Sequence, residues 1–218
     1  MNNIIAPSIF AADFGNLKSE IKKMEENGIK LIHLDIMDGH FVEKMAFGPD
    51  HIKAIKSMTD IPIDVHLMVD KPERIIGSVI EAGADIITLH VESSVRLNSC
   101  LEKIKRSGSK AGLVLSPQTS EETLKYMLDN IDLVLIMTIN PGEANLGFNR
   151  NMIQKIKNTK KMIGDRDILI EVDGSIDDNN IKYCKKAGAN IFVVGSYLFN
   201  GDFIYNLNNL KRKLEENE

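Results

Sequence analysis

The chain has 218 residues, of which 43% are hydrophobic and 27% are charged, a composition typical of a globular protein with a substantial core. Its formal net charge of −4 and its lack of a long basic run exclude the electrostatic signature of a protein that binds nucleic acid or anionic membranes, so a small-molecule partner is expected. The opening residues lack a secretion-signal pattern, no apolar run approaches the roughly 18 residues of a membrane span, and only Cys100 and Cys184 occur, so we expect reduced thiols and a cytoplasmic location.

Eight apolar runs predict eight β-strands, and a helical pattern follows each of them. A glycine lies three residues before four of these runs, as expected where a helix ends just before a strand: Gly28, Gly83, Gly108 and Gly188. The predicted strands cover 4–10, 31–37, 63–68, 86–91, 111–116, 133–139, 168–173 and 191–196. Eight consecutive βα units favour a (β/α)8 TIM barrel over a doubly wound sheet, and we predict a single α/β barrel domain over 1–218.

The strand over 31–37 alternates in residue type, so His33 and Asp35 share one face. Alone, this pattern is equally typical of an edge strand with a solvated face. In a barrel, chemistry lies where the strands end, and there His33, Asp35, His66 and Asp173 offer two imidazoles and two carboxylates for a divalent cation such as zinc, iron, cobalt or manganese. Each histidine alone would more often be a packed core residue, so this prediction depends on the barrel. His90 and Glu92 either support these ligands or belong to a polar rim.

Three methionines stand near the ends of predicted strands: Met37, Met68 and Met137. Methionine is a common core filler, and that interpretation applies to each of them singly. If the three converge over a metal, they form an apolar, polarizable wall beside a reactive carbon. Both interpretations stay open at this point.

Two short segments, VDGS and VVGS, run from a predicted strand into glycine and serine: Gly174 with Ser175, and Gly195 with Ser196. The last two βα loops of a barrel commonly bind phosphate through backbone N–H groups. Glycine also permits close approach of the backbone to a ligand. We therefore predict phosphate binding at these loops.

Eight segments of the chain, in order, resemble the ribulose-phosphate 3-epimerase family: IAPSIFAADFGNL, HLDIMDGHFV, FGP, DVHLMV, GADIITLH, INPG, EVDGS and GANIFVVGS. The resemblance implies an isomerase with one divalent metal ion, acting on a small phosphorylated ketose in carbohydrate metabolism. The expected reaction interconverts D-ribulose 5-phosphate and D-xylulose 5-phosphate, of the pentose phosphate pathway, through an enediolate. We also expect a homo-oligomer.

The resemblance assigns roles at matching positions of this sequence. His33, Asp35, His66 and Asp173 match the metal ligands, and Asp35 and Asp173 match the acid/base pair. The expected substrate-binding residues are Ser8, His33, Met37, His66, Met68, Met137, Gly142, Glu143, Ala144, Asn145, Asp173, Gly174, Ser175, Gly195 and Ser196.

The loop after the sixth predicted strand departs from the family pattern. It reads NPGEANL where the family usually has NPGFGGQ, so two glycines are replaced and Glu143 adds negative charge. We expect this loop to act as a lid and to bind a phosphate dianion less tightly. EVDGS and MTINPG also resemble the D-allulose (hexulose) 6-phosphate 3-epimerases, which remain an alternative. A barrel that binds a sugar phosphate without turnover is a second one.

Overall fold

One sheet of nine strands, mostly parallel, organises the molecule. A computed structural model describes residues 3–143 and 147–216. The strands are β1 Ile4–Pro7, β2 Ile32–Asp38, β3 Met45–Ala46, β4 Ile63–Met68, β5 Ile86–His90, β6 Lys110–Leu115, β7 Leu133–Met137, β8 Leu169–Asp173 and β9 Ile191–Val194. The helices are α1 Leu17–Glu26, α2 Pro49–Lys56, α3 Ile76–Glu81, α4 Leu97–Arg106, α5 Met152–Ile163, α6 Ile181–Ala187, α7 Ser196–Phe199 and α8 Phe203–Glu215.

The strand order confirms the predicted barrel. Neighbours in the sheet run β1-β9-β8-β7-β6-β5-β4-β2-β3, and every pair is parallel except β2 with the short β3. A parallel bridge from Ser8 to His33 brings the end of β1 beside β2, which joins the two sides of the sheet. Within the described ranges, we find no helix with the length and apolar character needed to cross a membrane.

Alternation along each strand separates two apolar layers. Leu34 and Ile36 point outward into the core between the strands and the helices, whereas His33 and Asp35 point inward. A smaller apolar cluster fills the inside of the ring: Ala6, Leu31, Ile86, Val114, Leu133, Leu135, Met137, Ile191 and Val193. Most of the buried apolar side chains lie in the outer core, between the strands and the helices. The interior of the barrel can therefore hold polar side chains as well.

Three predicted strands extend two or three residues too far at their carboxyl ends. β1 ends at Pro7 and is followed by a 3-10 turn over Ile9–Ala11, β7 ends at Met137, and β9 ends at Val194. The apolar runs continue past these ends because Phe10 and Ile139 line a cavity instead of extending the sheet. β3, which was not predicted, is a two-residue strand antiparallel to the end of β2.

One predicted helix has another form. The segment between β6 and β7 winds as 3-10 turns over Glu121–Leu124 and Leu128–Asn130. Leu124 and Leu128 of these turns are both buried. Apolar residues three to four positions apart suit both 3-10 turns and an α-helix, so the sequence pattern does not distinguish them. The four predicted glycines adopt the positive φ expected where a helix ends.

We predict that Gly112→Ala destabilises the barrel. A Cβ at this position of β6 would lie 2.8 Å from Thr88 Cγ2 and 3.0 Å from the Leu133 carbonyl oxygen. Overpacking of this kind costs about 1–3 kcal/mol. Gly48→Ala is the control, because a Cβ there meets nothing within 4 Å and its extended backbone, with φ −176°, suits any residue. Urea denaturation measures the free energy of unfolding, and equal losses in the two variants would contradict the prediction.

Candidate active site

The pairing of β2 with β4 positions most of the polar groups inside the barrel. In this parallel register His33 lies opposite Asp64, Asp35 opposite His66, and Met37 opposite Met68. All six therefore face the inside of the ring at successive heights. Asp173 ends β8 and pairs with Met137 of β7. The four residues predicted as metal ligands thus meet near the carboxyl ends of the strands.

Asp35 is at the centre of this cluster. Its Oδ1 lies 3.3 Å from His33 Nε2 and 3.2 Å from His66 Nδ1, and its Oδ2 accepts a hydrogen bond of 2.7 Å from Ser8 Oγ. His66 Nδ1 also lies 3.8 Å from Asp173 Oδ2. One potential ligand atom from each of the four predicted residues lies within 4.8 Å of the others.

Buried carboxyl groups orient His33 from the far side. Its Nδ1 lies 2.6 Å from Asp64 Oδ2 and 3.5 Å from Glu171 Oε1. Because a carboxylate accepts hydrogen bonds, we assign the ring proton to Nδ1. In the neutral ring the lone pair then lies on Nε2, which is buried and has no hydrogen-bond partner among the described residues.

A second imidazole orients His66. The Nε2 atoms of His66 and His90 are 2.9 Å apart, and the two rings stack with their centroids 5.0 Å apart. His90 Nδ1 in turn lies 3.3 Å from Glu92 Oε2. Burial lowers the pKa of His90 to about 4, so this ring is neutral at pH 7.

The two candidate catalytic aspartates have opposite electrostatic environments. Burial disfavours the charged form of Asp35, but interaction with His33 and His66 outweighs it and lowers the pKa of this carboxyl. Burial and the nearby charge of Asp35 raise the pKa of Asp173 to about 6. Burial likewise opposes the charged form of His33, yet the carboxylates of Asp35 and Asp64 raise its pKa well above the ordinary value. The cluster therefore concentrates negative charge that attracts a cation or a proton.

These observations fit a divalent metal ion. His33 Nε2 faces a carboxylate oxygen and has no hydrogen-bond partner among the described residues, so positive charge between the two atoms, from a ring proton or from a metal ion that replaces it, would be favourable. Two imidazole nitrogens and two carboxylate oxygens form a donor set suited to zinc and other first-row metals.

A second group, His33 with Asp64 and Glu171, is also close enough to hold an ion. There, however, His33 Nδ1 is already hydrogen bonded to Asp64, and burial together with the Asp64 charge raises the pKa of Glu171 well above its ordinary value. We interpret that group as support for His33.

A cavity of about 310 Å³ opens beside the cluster. Most residues predicted to bind substrate lie in its wall: Ser8, Asp35, Met37, Met68, Met137, Gly142, Glu143, Asp173, Gly174, Ser175, Gly195 and Ser196. His33 and His66 are fully buried and contact Asp35, which forms part of that wall. Ala144 and Asn145, with Leu146, lie outside the described residues. The structure thus brings the described residues of the predicted set together, while their roles toward a substrate remain predictions.

Two glycines allow loops to approach closely at the cavity. Gly174 has φ 121°, and a Cβ there would lie 2.5 Å from Ile139 Cγ1 and 2.9 Å from the Ile139 backbone nitrogen. Gly142 has φ 77°, and its Cβ would lie 2.9 Å from Val42 Cβ. Larger residues would clash and would strain the backbone at both positions. The absence of a side chain at both positions therefore lets the loops after β7 and β8 pack closely beside the cluster.

Sequence reasoning did not assign roles to the carboxyl groups behind the histidines. Asp64 and Glu171 each precede a predicted ligand by two residues, so strand alternation could have placed them on the same inner face. The apolar cavity residues Phe10, Ile139 and Ile176 carried no chemical signal in the sequence.

Comparison with known proteins finds sequence relatives over most of the chain. A model of the ribulose-phosphate 3 epimerase family matches residues 4–199. Ribulose-phosphate 3-epimerase of Bacillus subtilis (strain 168) is 43% identical over 198 residues, which cover 89% of this chain and 91% of that protein. The chloroplastic ribulose-5-phosphate-3-epimerase of Arabidopsis thaliana is 41% identical over 200 residues, which cover 90% of this chain and 71% of that protein.

The structural comparison supports the fold. The crystal structure of 3-keto-L-gulonate-6-phosphate decarboxylase from Vibrio cholerae matches with a TM-score of 0.77, covers 99% of this chain and 98% of that one, and is 12% identical. At this identity the match shows a shared barrel fold alone. The sequence matches are far stronger, extend over most of the barrel and confirm the resemblance seen in the eight segments: the chain belongs to the ribulose-phosphate 3-epimerase family.

Proposed function

We propose that this protein interconverts D-ribulose 5-phosphate and D-xylulose 5-phosphate by inverting carbon 3 through an enediolate. The observation that carries the proposal is the pair of carboxyl groups, Asp35 and Asp173, in the wall of one cavity beside a four-residue cation cluster. The names of the relatives supply the substrate. Inversion beside a ketone needs one group to remove a proton and another to return it on the opposite face.

Asp35 and Asp173 suit these two proton transfers. They project from β2 and β8, which β1 and β9 separate in the ring, so a planar intermediate between them would expose one face to each carboxyl. The pKa of Asp35 is lowered and that of Asp173 is raised to about 6, so Asp173 holds a proton up to a higher pH than Asp35 does. Such a difference is typical of acid/base pairs. The carboxylate takes the substrate proton, and the carboxylic acid donates one to the other face.

His33, Asp35, His66 and Asp173 would hold one divalent ion, which we propose to be zinc, iron, cobalt or manganese. When bound, it supplies positive charge beside substrate oxygens as negative charge develops there. The protein contributes the positions of the four side chains and their burial. Ser8, which donates a hydrogen bond to Asp35, keeps that carboxylate oriented.

The loops after β8 and β9 would bind the phosphate. Gly174, Ser175, Gly195 and Ser196 lie in the cavity wall. Hydroxyl and backbone N–H groups donate hydrogen bonds to phosphate oxygens. Met37, Met68 and Met137, which line the same cavity, would form the apolar side of the substrate site.

A homo-oligomer and a cytoplasmic location remain predictions from the sequence. The thiols of Cys100 and Cys184 are buried and free, which supports a reducing compartment.

We predict that Asp173→Asn lowers the turnover number by at least about 100-fold, because the amide cannot exchange the catalytic proton. The assay follows product formation by the metal-loaded enzyme from ribulose 5-phosphate, with allulose 6-phosphate as the competing candidate. In deuterated water, the wild type should place solvent label at carbon 3. Asp167→Asn is the control, since this exposed residue lies beyond the opposite end of β8. Label at another carbon, or faster turnover of allulose 6-phosphate, would contradict the proposal.

Stringent chelation should abolish activity, and adding back one divalent ion per chain should restore it, because the cation cluster is part of the site. Elemental analysis before and after chelation measures the metal content. Circular dichroism checks that the chelated protein stays folded. Full turnover by metal-free protein would rule out the proposed metal dependence.

Replacing Glu143 by glutamine should lower the Michaelis constant about twofold to fivefold without changing the turnover number, because one exposed negative charge is removed near a dianion. Glu143 is exposed, lines the cavity and accepts a hydrogen bond of 3.3 Å from Asn140 Nδ2. Steady-state kinetics at low ionic strength measures both constants. Glu81→Gln is the control, because this exposed glutamate ends α3 away from the cavity. An unchanged or higher Michaelis constant would show that Glu143 does not repel the substrate.

A further inference from the structure

A chain of hydrogen bonds leads from His66 away from the cation cluster and ends at Glu92. His66 Nε2 lies 2.9 Å from His90 Nε2, and His90 Nδ1 lies 3.3 Å from Glu92 Oε2. Both rings are fully buried, whereas Glu92 is partly exposed beyond the end of β5. The proton transfers proposed above do not involve His90 or Glu92.

Glu92, at the outer end of this chain of hydrogen bonds, determines which ring nitrogens donate and which accept. Two ring nitrogens at 2.9 Å share one proton, so one ring donates and the other accepts. A carboxylate only accepts, and the Ser116 hydroxyl, which also lies 3.3 Å from His90 Nδ1, can accept as well, so His90 donates from Nδ1 toward Glu92. An imidazole that carries its one proton on Nδ1 has its lone pair on Nε2. His90 Nε2 therefore accepts the proton of His66 Nε2.

This direction determines which atom of His66 faces the cluster. With its proton on Nε2, His66 has its lone pair on Nδ1, which lies 3.2 Å from Asp35 Oδ1 and 3.8 Å from Asp173 Oδ2. That is the tautomer able to bind a cation between these groups. The reverse direction would place a proton on Nδ1 and would block it as a ligand.

Contacts from the next βα loop hold Glu92 in place. Glu92 Oε1 accepts a hydrogen bond of 3.2 Å from the Ser116 backbone N–H and another from Thr119 Oγ1. Lys155 is buried and donates from Nζ to the carbonyl oxygens of Ser116 at 2.9 Å and Pro117 at 2.7 Å. These bonds aim the carboxylate of Glu92 at His90 before any ligand binds.

We infer that Glu92 is a positioning residue that acts through His90 to hold His66 in the tautomer whose Nδ1 can bind the metal ion. The inference rests on the proposed metal site. His33 has the opposite tautomer, with its proton on Nδ1 toward Asp64. Each of the two imidazoles is therefore oriented by a different carboxylate, His33 by Asp64 and His66, through His90, by Glu92. Carboxylates that hydrogen bond to metal-binding histidines commonly have this effect.

The test compares the wild type with Glu92→Ala and Glu92→Gln. Histidine is labelled with nitrogen-15, and long-range proton–nitrogen spectra are recorded with and without zinc, while competition with a chelator gives the zinc affinity. We expect the wild type to show His90 protonated on Nδ1 and His66 on Nε2.

Loss of the acceptor in Glu92→Ala should weaken zinc binding about 10-fold or more and mix the His66 tautomers. Glu92→Gln, whose side-chain oxygen can still accept from His90, should recover most of the affinity. Glu122→Ala, at an exposed position between β6 and β7, is the control and should change neither readout.

A proton on Nε2 of His90 in the wild type, or a Glu92→Ala variant with unchanged zinc affinity and unchanged His66 signals, would overturn the inference. The wild-type spectrum decides the proton direction even if Glu92→Ala does not fold. If the wild type binds no zinc, the proposed metal site fails, while the His90 protonation state in the metal-free spectrum still tests the hydrogen-bond direction. Zinc binding with the expected tautomers but without epimerase activity would count against the proposed reaction and support this inference.

Discussion

The burial of one carboxylate, Asp35, is the constraint on which the rest of the site depends. A buried anion is costly unless it is paired and hydrogen bonded. Here Ser8 from the end of β1 donates to one oxygen, and the other faces nitrogen atoms of His33 and His66, where a proton or the proposed metal ion would supply the compensating positive charge. Ser8 also forms the bridge that brings β1 beside β2. The contacts that accommodate this charge therefore also help to join the two sides of the barrel.

The polar interior is tolerated because the fold obtains its stability elsewhere. The main apolar core lies between the strands and the surrounding helices, and it includes outward residues of the same strands that carry the site, such as Leu34 and Val65. Inside the ring, apolar residues such as Leu31 and Ile86 fill the region near the strand starts, the pairs His33–Asp64 and Asp35–His66 lie above them, and Met37 and Met68 follow at the strand ends. A polar cluster can thus be built at the strand ends without opening the outer core.

The histidines of the cluster are oriented from behind. Asp64 receives a hydrogen bond from His33, and the His90–Glu92 pair extends from His66 toward the loop after β6. Because these partners are themselves buried or hydrogen bonded, the ring orientations are established by the folded protein alone. Such preorganisation is what a binding or catalytic site requires of the residues around it.

The sequence by itself determined the barrel and the composition of its site. Periodic apolar runs, helix-ending glycines and the alternation of His33 with Asp35 are local properties of the chain, and local geometry converts them into faces of strands. The resemblance of the family segments also assigned residues distant in the chain, such as Asp173, to the same site. The contact of His66 with His90, the approach of Asp64 to His33, and the ends of β1 and β9 were decided only by the tertiary structure. These features depend on the register between neighbouring strands and on loop packing, where contacts between distant segments select one arrangement among several that the local sequence allows.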